Sequence, residues 1–567
     1  MKRIIAVVAT VAAVAAMAQT PDAFEQFRRQ MDSSFESVRK SNNETFERQR
    51  AEIDKSFADH MRKAWEIYNS SPSVPEPKRP EPVIIPKYVP TDKSSNEHTV
   101  TVVEDVPKVE PVKPVVAPKP APTAPVATPE PKPAPTAPVV APKPQPTAPV
   151  VEPKPEPKAP VATPEPKPAP TCPNQQPTCP KQQPTAPVVA PKPVPAAPVV
   201  APNPQPTAPQ STTELTYFGT KVSIRVPGTA VPSLFDASEG AVADAWMSMG
   251  SGEYEQTLAD CLAARSQMAI SDWGYYRLVQ MFAQKYYEAE CNDAVLLQAY
   301  LLAHSGYRVR MARSGNQLVL LINIAGDVYG MSYFTIDGKR FYRTDKSTGC
   351  SRMYICDVKF PGENSFSLSH SCAPRLATKP LQVKHFASKR YPEAKADISV
   401  NANLMNYYKD YPLSDFAFYV RTSASESLKS QLYPMLRRVT AGKSQKDAVE
   451  IILNFVQTSF EYKTDDQQFG REKWFFGDEI FFYPYSDCDD RAILFSMLVR
   501  DVLNMEAVLL EYPRHLAAAV RFDSAVEGDY VMLGEKRFVV CDPTYIGAGV
   551  GEAMPNLDTK NIKLHKL

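Results

Sequence analysis

The residues Y-S-D-C-D-D-R-A-I-L-F at 485–495, followed by Y-P-R-H-L-A-A-A-V at 512–520 and R-F-V-V-C-D-P-T at 537–544, decide how this chain is read. They carry a thiol (Cys488), an imidazole (His515) and a carboxylate (Asp542) in that order, 27 residues apart at each step. A thiol is mostly protonated near neutral pH, so a sulfur nucleophile needs an imidazole to take its proton. That ring in turn needs a carboxylate on its other nitrogen to fix its tautomer and direction. The three side chains together suit acyl transfer through a cysteine.

Residues 489–503 place apolar side chains at helical spacing, with Ser486 or Asp487 able to cap the start, so Cys488 falls at a helix N-terminus. The unpaired amides there favour an anionic sulfur, while Asp487, Asp489 and Asp490 push the other way. His515 opens an alternating strand and Asp542 closes another. Antiparallel pairing of the two would set imidazole opposite carboxylate. The intervening G-D-Y-V-M-L at 528–533 either extends the first strand past a bulge or stands between them as a strand of its own. Cys541 should face away from Asp542, into a core.

A Cys at a helix start followed by R-A and apolar positions, then His-x-A on a strand, then Asp-Pro-Thr, resembles the transglutaminase-like superfamily of papain-type cysteine enzymes over roughly 430–550. The resemblance implies an α+β core with a Cys-His-Asp triad at Cys488, His515 and Asp542, and an oxyanion donor from upstream of the cysteine. The aromatic stretch between the preceding helix and Cys488 offers Tyr462, Gln467, Gln468 and Trp474 for that role, beside the Cys488 amide. Core packing is the plainer role for Trp474 and its aromatic neighbours. Many members carry an aromatic two residues after the histidine; this chain has Ala517, so the family's substrate contact there is not carried over.

The first half of the globular region echoes the second. R-L-V-Q-M-F-A-Q-K-Y-Y from Arg277 matches N-F-V-Q-T-S-F-E-Y from Asn454, E-C-N-D-A-V-L-L around Cys291 matches D-C-D-D-R-A-I-L around Cys488, and the Lys339–Asp345 spacing equals that of Lys536–Asp542. Two tandem transglutaminase-like modules follow as the expectation. In the first, Gln317 falls where His515 stands, and a glutamine cannot accept and return a proton near neutral pH. His304, on the helix after Cys291, is poorly placed to replace it. The counterparts Cys291, Gln317 and Asp345 therefore describe a degenerate module.

Upstream, residues 1–18 combine Lys2 and Arg3, an apolar run and A-M-A, which reads as a signal peptide cleaved before Gln19. The expectation is an exported protein, periplasmic, surface-bound or secreted, without a lipid anchor or a membrane-spanning segment. Residues 22–68 set an aromatic every eleven positions (Phe24, Phe35, Phe46, Phe57, Tyr68), one nearly straight helical stripe. That stripe must pack on another copy, another protein or the globular part; self-association is its commonest explanation, and a membrane-surface helix the runner-up. From 71 to 211 the chain holds most of its 57 prolines in recurring blocks, which build no core and favour extended polyproline II, a spacer.

The resulting expectation is an α+β chain: signal peptide 1–18, amphipathic helix 19–70, Pro-rich spacer 71–211, degenerate module 212–375 and catalytic module 376–567. Its function would be cleavage or transfer of amide or peptide bonds through an acyl-enzyme on Cys488. Hydrolysis is preferred to cross-linking because no calcium-binding loop of regular spacing is present. The rival is a non-catalytic module that binds protein or glycan, displayed on a helical oligomer. A net charge of +1 argues against a nucleic-acid role. No cofactor or metal is expected. Cys261, Cys350, Cys356 and Cys372 suggest one or two disulfides in an oxidising compartment, as do Cys172 and Cys179 within the spacer.

Overall fold

A first six-stranded sheet is built from β1 (Glu66–Asn69), β3 (Val309–Ser314), β4 (Gln317–Ile322), β5 (Tyr333–Ile336), β6 (Lys339–Arg343) and β7 (Arg352–Cys356), in the order β1-β7-β3-β4-β6-β5. A second contains β2 (Val100–Val103), β8 (Ala507–Tyr512), β9 (His515–Val520), β10 (Tyr530–Leu533), β11 (Lys536–Cys541) and β12 (Lys563–Lys566), ordered β2-β10-β11-β9-β8-β12. The computed structural model from which these come describes residues 48–74, 100–103, 211–227, 233–250, 254–345, 351–370 and 372–567. All of them lie in one compact unit, Met1–Pro107 with Pro206–Leu567; the other unit, Lys108–Gln205, lies outside the described residues. Helices and sheets are both present, as an α+β chain requires.

Five strands repeat one topology. In each half a helix (Asn292–His304 or Cys488–Leu503) leads into an antiparallel hairpin, a second hairpin joins by its later strand, and a last strand returns to the outer edge. The sequence echo thus follows matching strands. Alternation sorts each sheet's side chains into two layers. Met311, Leu318, Leu320 and Ile322 of the first sheet join the helices in a core that also contains Leu516, Ala518, Val520 and Cys541 of the second. The opposite faces form cores of their own, Ala312, Val319, Leu321 and Phe341 in one, Val508, Leu510, Ala517 and Val540 in the other.

The sixth strand differs between the halves. β1 comes from the N-terminal segment, lies antiparallel to β7, and is followed by Ser71, which exchanges backbone hydrogen bonds with Tyr333 at the far edge (2.7 and 3.3 Å). The first sheet is thereby closed on itself. The helix over 48–61 precedes β1 and buries Phe57, Met61 and, beyond its end, Trp65 in the main core. Asp54, on its buried face, accepts from Trp246 Nε1 (3.0 Å) and pairs with His304 Nε2 (2.9 Å). So the described part of the aromatic stripe packs on the globular part of its own chain, and the boundary at 212 leaves out residues that belong to the first half. Phe24, Phe35, Phe46, residues 1–18, for which a signal peptide is expected, and nearly all of the proline tract lie outside the described residues. β2 pairs in parallel with β10 at an edge of the second sheet.

The halves share an aromatic seam. Tyr407 and Tyr411 meet Ser271 and His370, Trp474 packs tilted against Phe416 (4.0 Å) and lies edge-on to Tyr329, and a two-residue ladder joins Leu413–Ser414 to Val328–Tyr329. Gly274 is required there: a Cβ would collide with the Tyr407 hydroxyl, and the Gly274 carbonyl accepts from Tyr217. Gly274→Ala should cost about 1–3 kcal/mol by overpacking, read as a lowered denaturant midpoint. An unchanged midpoint would show that the seam yields. The described cysteines, Cys261, Cys291, Cys356, Cys372, Cys488 and Cys541, are all free thiols, so the expected pairing among Cys261, Cys356 and Cys372 is absent; Cys350, Cys172 and Cys179 lie outside the described residues.

Candidate active site

Cys488 is the first residue of the helix Cys488–Leu503, with Asp487 as N-cap and Asp490 Oδ2 accepting from the Asp487 amide (3.3 Å). That helix packs on β8 and β9. β9 and β11 are direct antiparallel neighbours, with Ala518 opposite Cys541, and β10 lies on the far side of β11 rather than between them. His515 and Asp542 are thereby brought together, Nε2 to Oδ2 at 2.8 Å. With Asp542 Oδ2 accepting, Nε2 is the ring's donor, and in the neutral tautomer that this requires Nδ1 carries the lone pair. Nδ1 is buried and makes no hydrogen bond. Asp542 Oδ1 accepts from the amides of Thr544 (2.9 Å) and Tyr545 (3.2 Å), which locks the carboxylate's plane.

The Leu516 amide, next after His515, favours the thiolate at Cys488, while no hydrogen bond joins the sulfur to His515 Nδ1. Cys488 is 0 %, His515 3 % and Asp542 1 % exposed, so the three are sealed from solvent. Burial, and next the charge of Asp487, pushes the thiol well above the ordinary cysteine range, with the Leu516 amide pulling it back. Burial, more than the balance of helix dipole against acidic neighbours, thus favours the neutral thiol. A proton must then leave sulfur at the moment of attack, which calls for a base rather than a standing thiolate.

Among the oxyanion candidates, Tyr462 stands apart. Its hydroxyl is buried without a partner, and its acidity is suppressed by burial first and by nearby Cys488 second. It is a neutral O–H with no acceptor of its own. Gln468 Nε2 donates to the Tyr485 carbonyl (3.3 Å), Gln467 is exposed on a short helix, Asp465–Phe469, and Trp474 belongs to the aromatic seam. Tyr462 sits in a two-residue strand, Glu461–Tyr462, paired in parallel with Tyr485–Ser486, so the stretch between them forms a closed flap beside the thiol.

Two overlapping trios, Asp465 with Asp487 and Asp490, and Asp465 with Glu472 and Asp489, bring carboxylate oxygens within 4.8 Å of one another. Among the described residues these could hold a cation. Several of their oxygens already accept backbone amides: Asp490 Oδ1 from Phe475 (2.9 Å), Asp465 Oδ2 from Lys473 (2.6 Å) and Asp487 Oδ2 from Asp465 (3.2 Å). The acids flanking Cys488 therefore stitch the flap to the helix start. Burial, then the proximity of Asp487, pushes Asp465, Asp489 and Asp490 upward.

The first half has the same frame with different side-chain contacts at the matching positions. Cys291 is the N-cap of its helix, Gln317 starts β4 and is exposed, and Asp345 is exposed and bound by Arg343 (2.6 Å). The amide of Leu318, the equivalent of Leu516, is taken by Asn292 Oδ1 (2.9 Å), and Asn292 Nδ2 also holds the Asn316 carbonyl (2.8 Å). An asparagine side chain thus binds both the Leu318 amide and the carbonyl before the strand in the first half. His304 lies at the other end of that helix, about 18 Å along its axis.

Comparison of the chain with protein-family models, with curated proteins and with solved structures gives no match. Among the described residues, no helix is long and apolar enough to cross a membrane.

Proposed function

We propose that this chain is an exported cysteine enzyme built from two transglutaminase-like modules, the first degenerate, and that the second attacks amide or peptide carbonyls. The observation that carries the reading is the His515–Asp542 pair, which leaves a buried, unpartnered Nδ1 on the ring, one residue before the Leu516 amide that bears on the Cys488 thiol; a side-chain rotation must bring sulfur and Nδ1 together before proton transfer. His515 Nδ1 takes the thiol proton as sulfur bonds to the carbonyl carbon. The Tyr462 hydroxyl then has a free hydrogen for the tetrahedral oxyanion. The protonated Nδ1 returns its proton to the departing amine, and water, activated by the same nitrogen, frees the acid and the thiol. Substrate enters when the flap between Tyr462 and Tyr485 lifts.

Incubation with a peptide library, with and without an added primary amine, tests the reading. New carboxyl termini without amine adducts, lost in Cys488→Ala, are expected; amine adducts would make the enzyme a cross-linker. The complete burial of Cys488 favours a second reading, a non-catalytic display module that binds protein or glycan. Unchanged peptides under every condition would leave that one standing.

A further inference from the structure

Gln457 has 0 % exposure and lies on the apolar face of the helix Gln445–Ser459. Its Nε2 is within hydrogen-bonding distance of three carbonyls, those of Asp542 (3.0 Å), Tyr545 (3.0 Å) and Ala548 (3.1 Å), and its Oε1 accepts from the Gly547 amide (3.3 Å). One side chain therefore gathers the whole turn that carries Asp542. The same residue is tied to the cysteine helix. Arg491, three positions after Cys488 and itself fully buried, donates Nη1 to the Gln457 carbonyl (3.3 Å), Nη2 to Phe460 O (2.8 Å) and Nε to Ser486 Oγ (3.2 Å).

A buried guanidinium that contacts no carboxylate and a buried amide spanning three carbonyls are costly unless geometry requires them. The matching glutamine of the first half, Gln280 in the helix Asp272–Tyr287, accepts from Arg277 on its own helix, and Asp345 is held by Arg343. The turn after Asp345, residues 346–350, lies outside the described residues.

We propose that Gln457, anchored by Arg491, is the positioning residue of the site: it fixes the Asp542 turn, and through Asp542 the direction of the His515 ring. This rests on the enzyme reading for its consequence but not for its geometry. The test uses the full chain with labelled histidine. In the wild type the His515 Nε2 proton should give a downfield, exchange-protected NMR signal. In Gln457→Met that signal should be lost, and labelling of Cys488 by iodoacetamide, mapped to the residue, should slow by roughly 10²-fold, the scale of a 1 Å misplacement. Val456→Ala, equally buried on the same helix but with no hydrogen bond to lose, should keep the signal and label within about twofold of wild type. If Gln457→Met does not fold, Gln457→Glu replaces it; burial against three carbonyls favours its protonated acid, which keeps a donor and the signal, and the signal should be lost as the pH is raised until that carboxyl ionises, while wild type keeps it at the same pH. An intact signal in Gln457→Met, or in Gln457→Glu once carboxyl NMR shows it ionised, overturns the proposal. Loss of the signal with labelling equally slow in every chain, wild type included, would keep the brace and reject the enzyme reading.

Discussion

Replacing His515 with glutamine is expected to slow acylation of Cys488 by about 10²–10⁴-fold, the usual contribution of a positioned general base. The substitution copies what the first half already contains, Gln317 at the matching strand start. Glutamine can still donate to Asp542 Oδ2, so the carboxylate keeps a partner and the cost in stability stays below the roughly 1–3 kcal/mol of an orphaned buried acceptor. His515→Ala would incur that cost in full and confuse misfolding with lost chemistry. The size of the expected effect follows from the sulfur's setting. Burial and Asp487 hold Cys488 as a neutral thiol, so little thiolate is present for an electrophile to find without the ring. Rapid-quench measurement of the acyl-enzyme reads the rate directly, and a variant as fast as wild type would show that His515 does not take the proton.

Deleting residues 48–74 is expected to unfold the first half rather than detach an appendage. The deletion removes β1, reopens the first sheet between β7 and β5, and strips Phe57, Met61 and Trp65 from the main core. Each large side chain is worth about 2–5 kcal/mol when cut back to alanine, against a total stability of about 5–15 kcal/mol. His304 and Trp246 would also lose their shared partner Asp54. Because both halves feed one apolar cluster, the loss should spread. Limited proteolysis should cut the truncated chain throughout 211–370 while sparing that region in the intact protein. Equal resistance in the two would mean that the N-terminal segment only rests on the surface.

What could be read from the sequence and what could not differ for physical reasons. Periodicity exposed the helix at Cys488 and the strands at His515 and Asp542, since local spacing follows backbone geometry and those segments are half-buried amphipaths or buried runs. The neighbour relation of β9 and β11 was one of two arrangements compatible with G-D-Y-V-M-L, because strand order depends on contacts distant in sequence. β1 escaped notice for the same reason: E-I-Y-N ends a helical repeat, and only its partner Arg352–Cys356 makes it a strand. The free state of Cys261, Cys356 and Cys372 depends on where tertiary packing leaves them, two of the three buried. Gln457 did leave a trace, a polar residue among Leu453, Phe455 and Val456 on a buried helix, and the carbonyls it collects lie about 90 residues away.

The most direct measurement is the residue-resolved mass of the intact folded chain after exposure at pH 7 to a peptidyl chloroacetamide. The account predicts one adduct on Cys488, formed by wild type and nearly absent in His515→Gln. An adduct that appears on Cys488 only after denaturation, or equally fast in both chains, would contradict it.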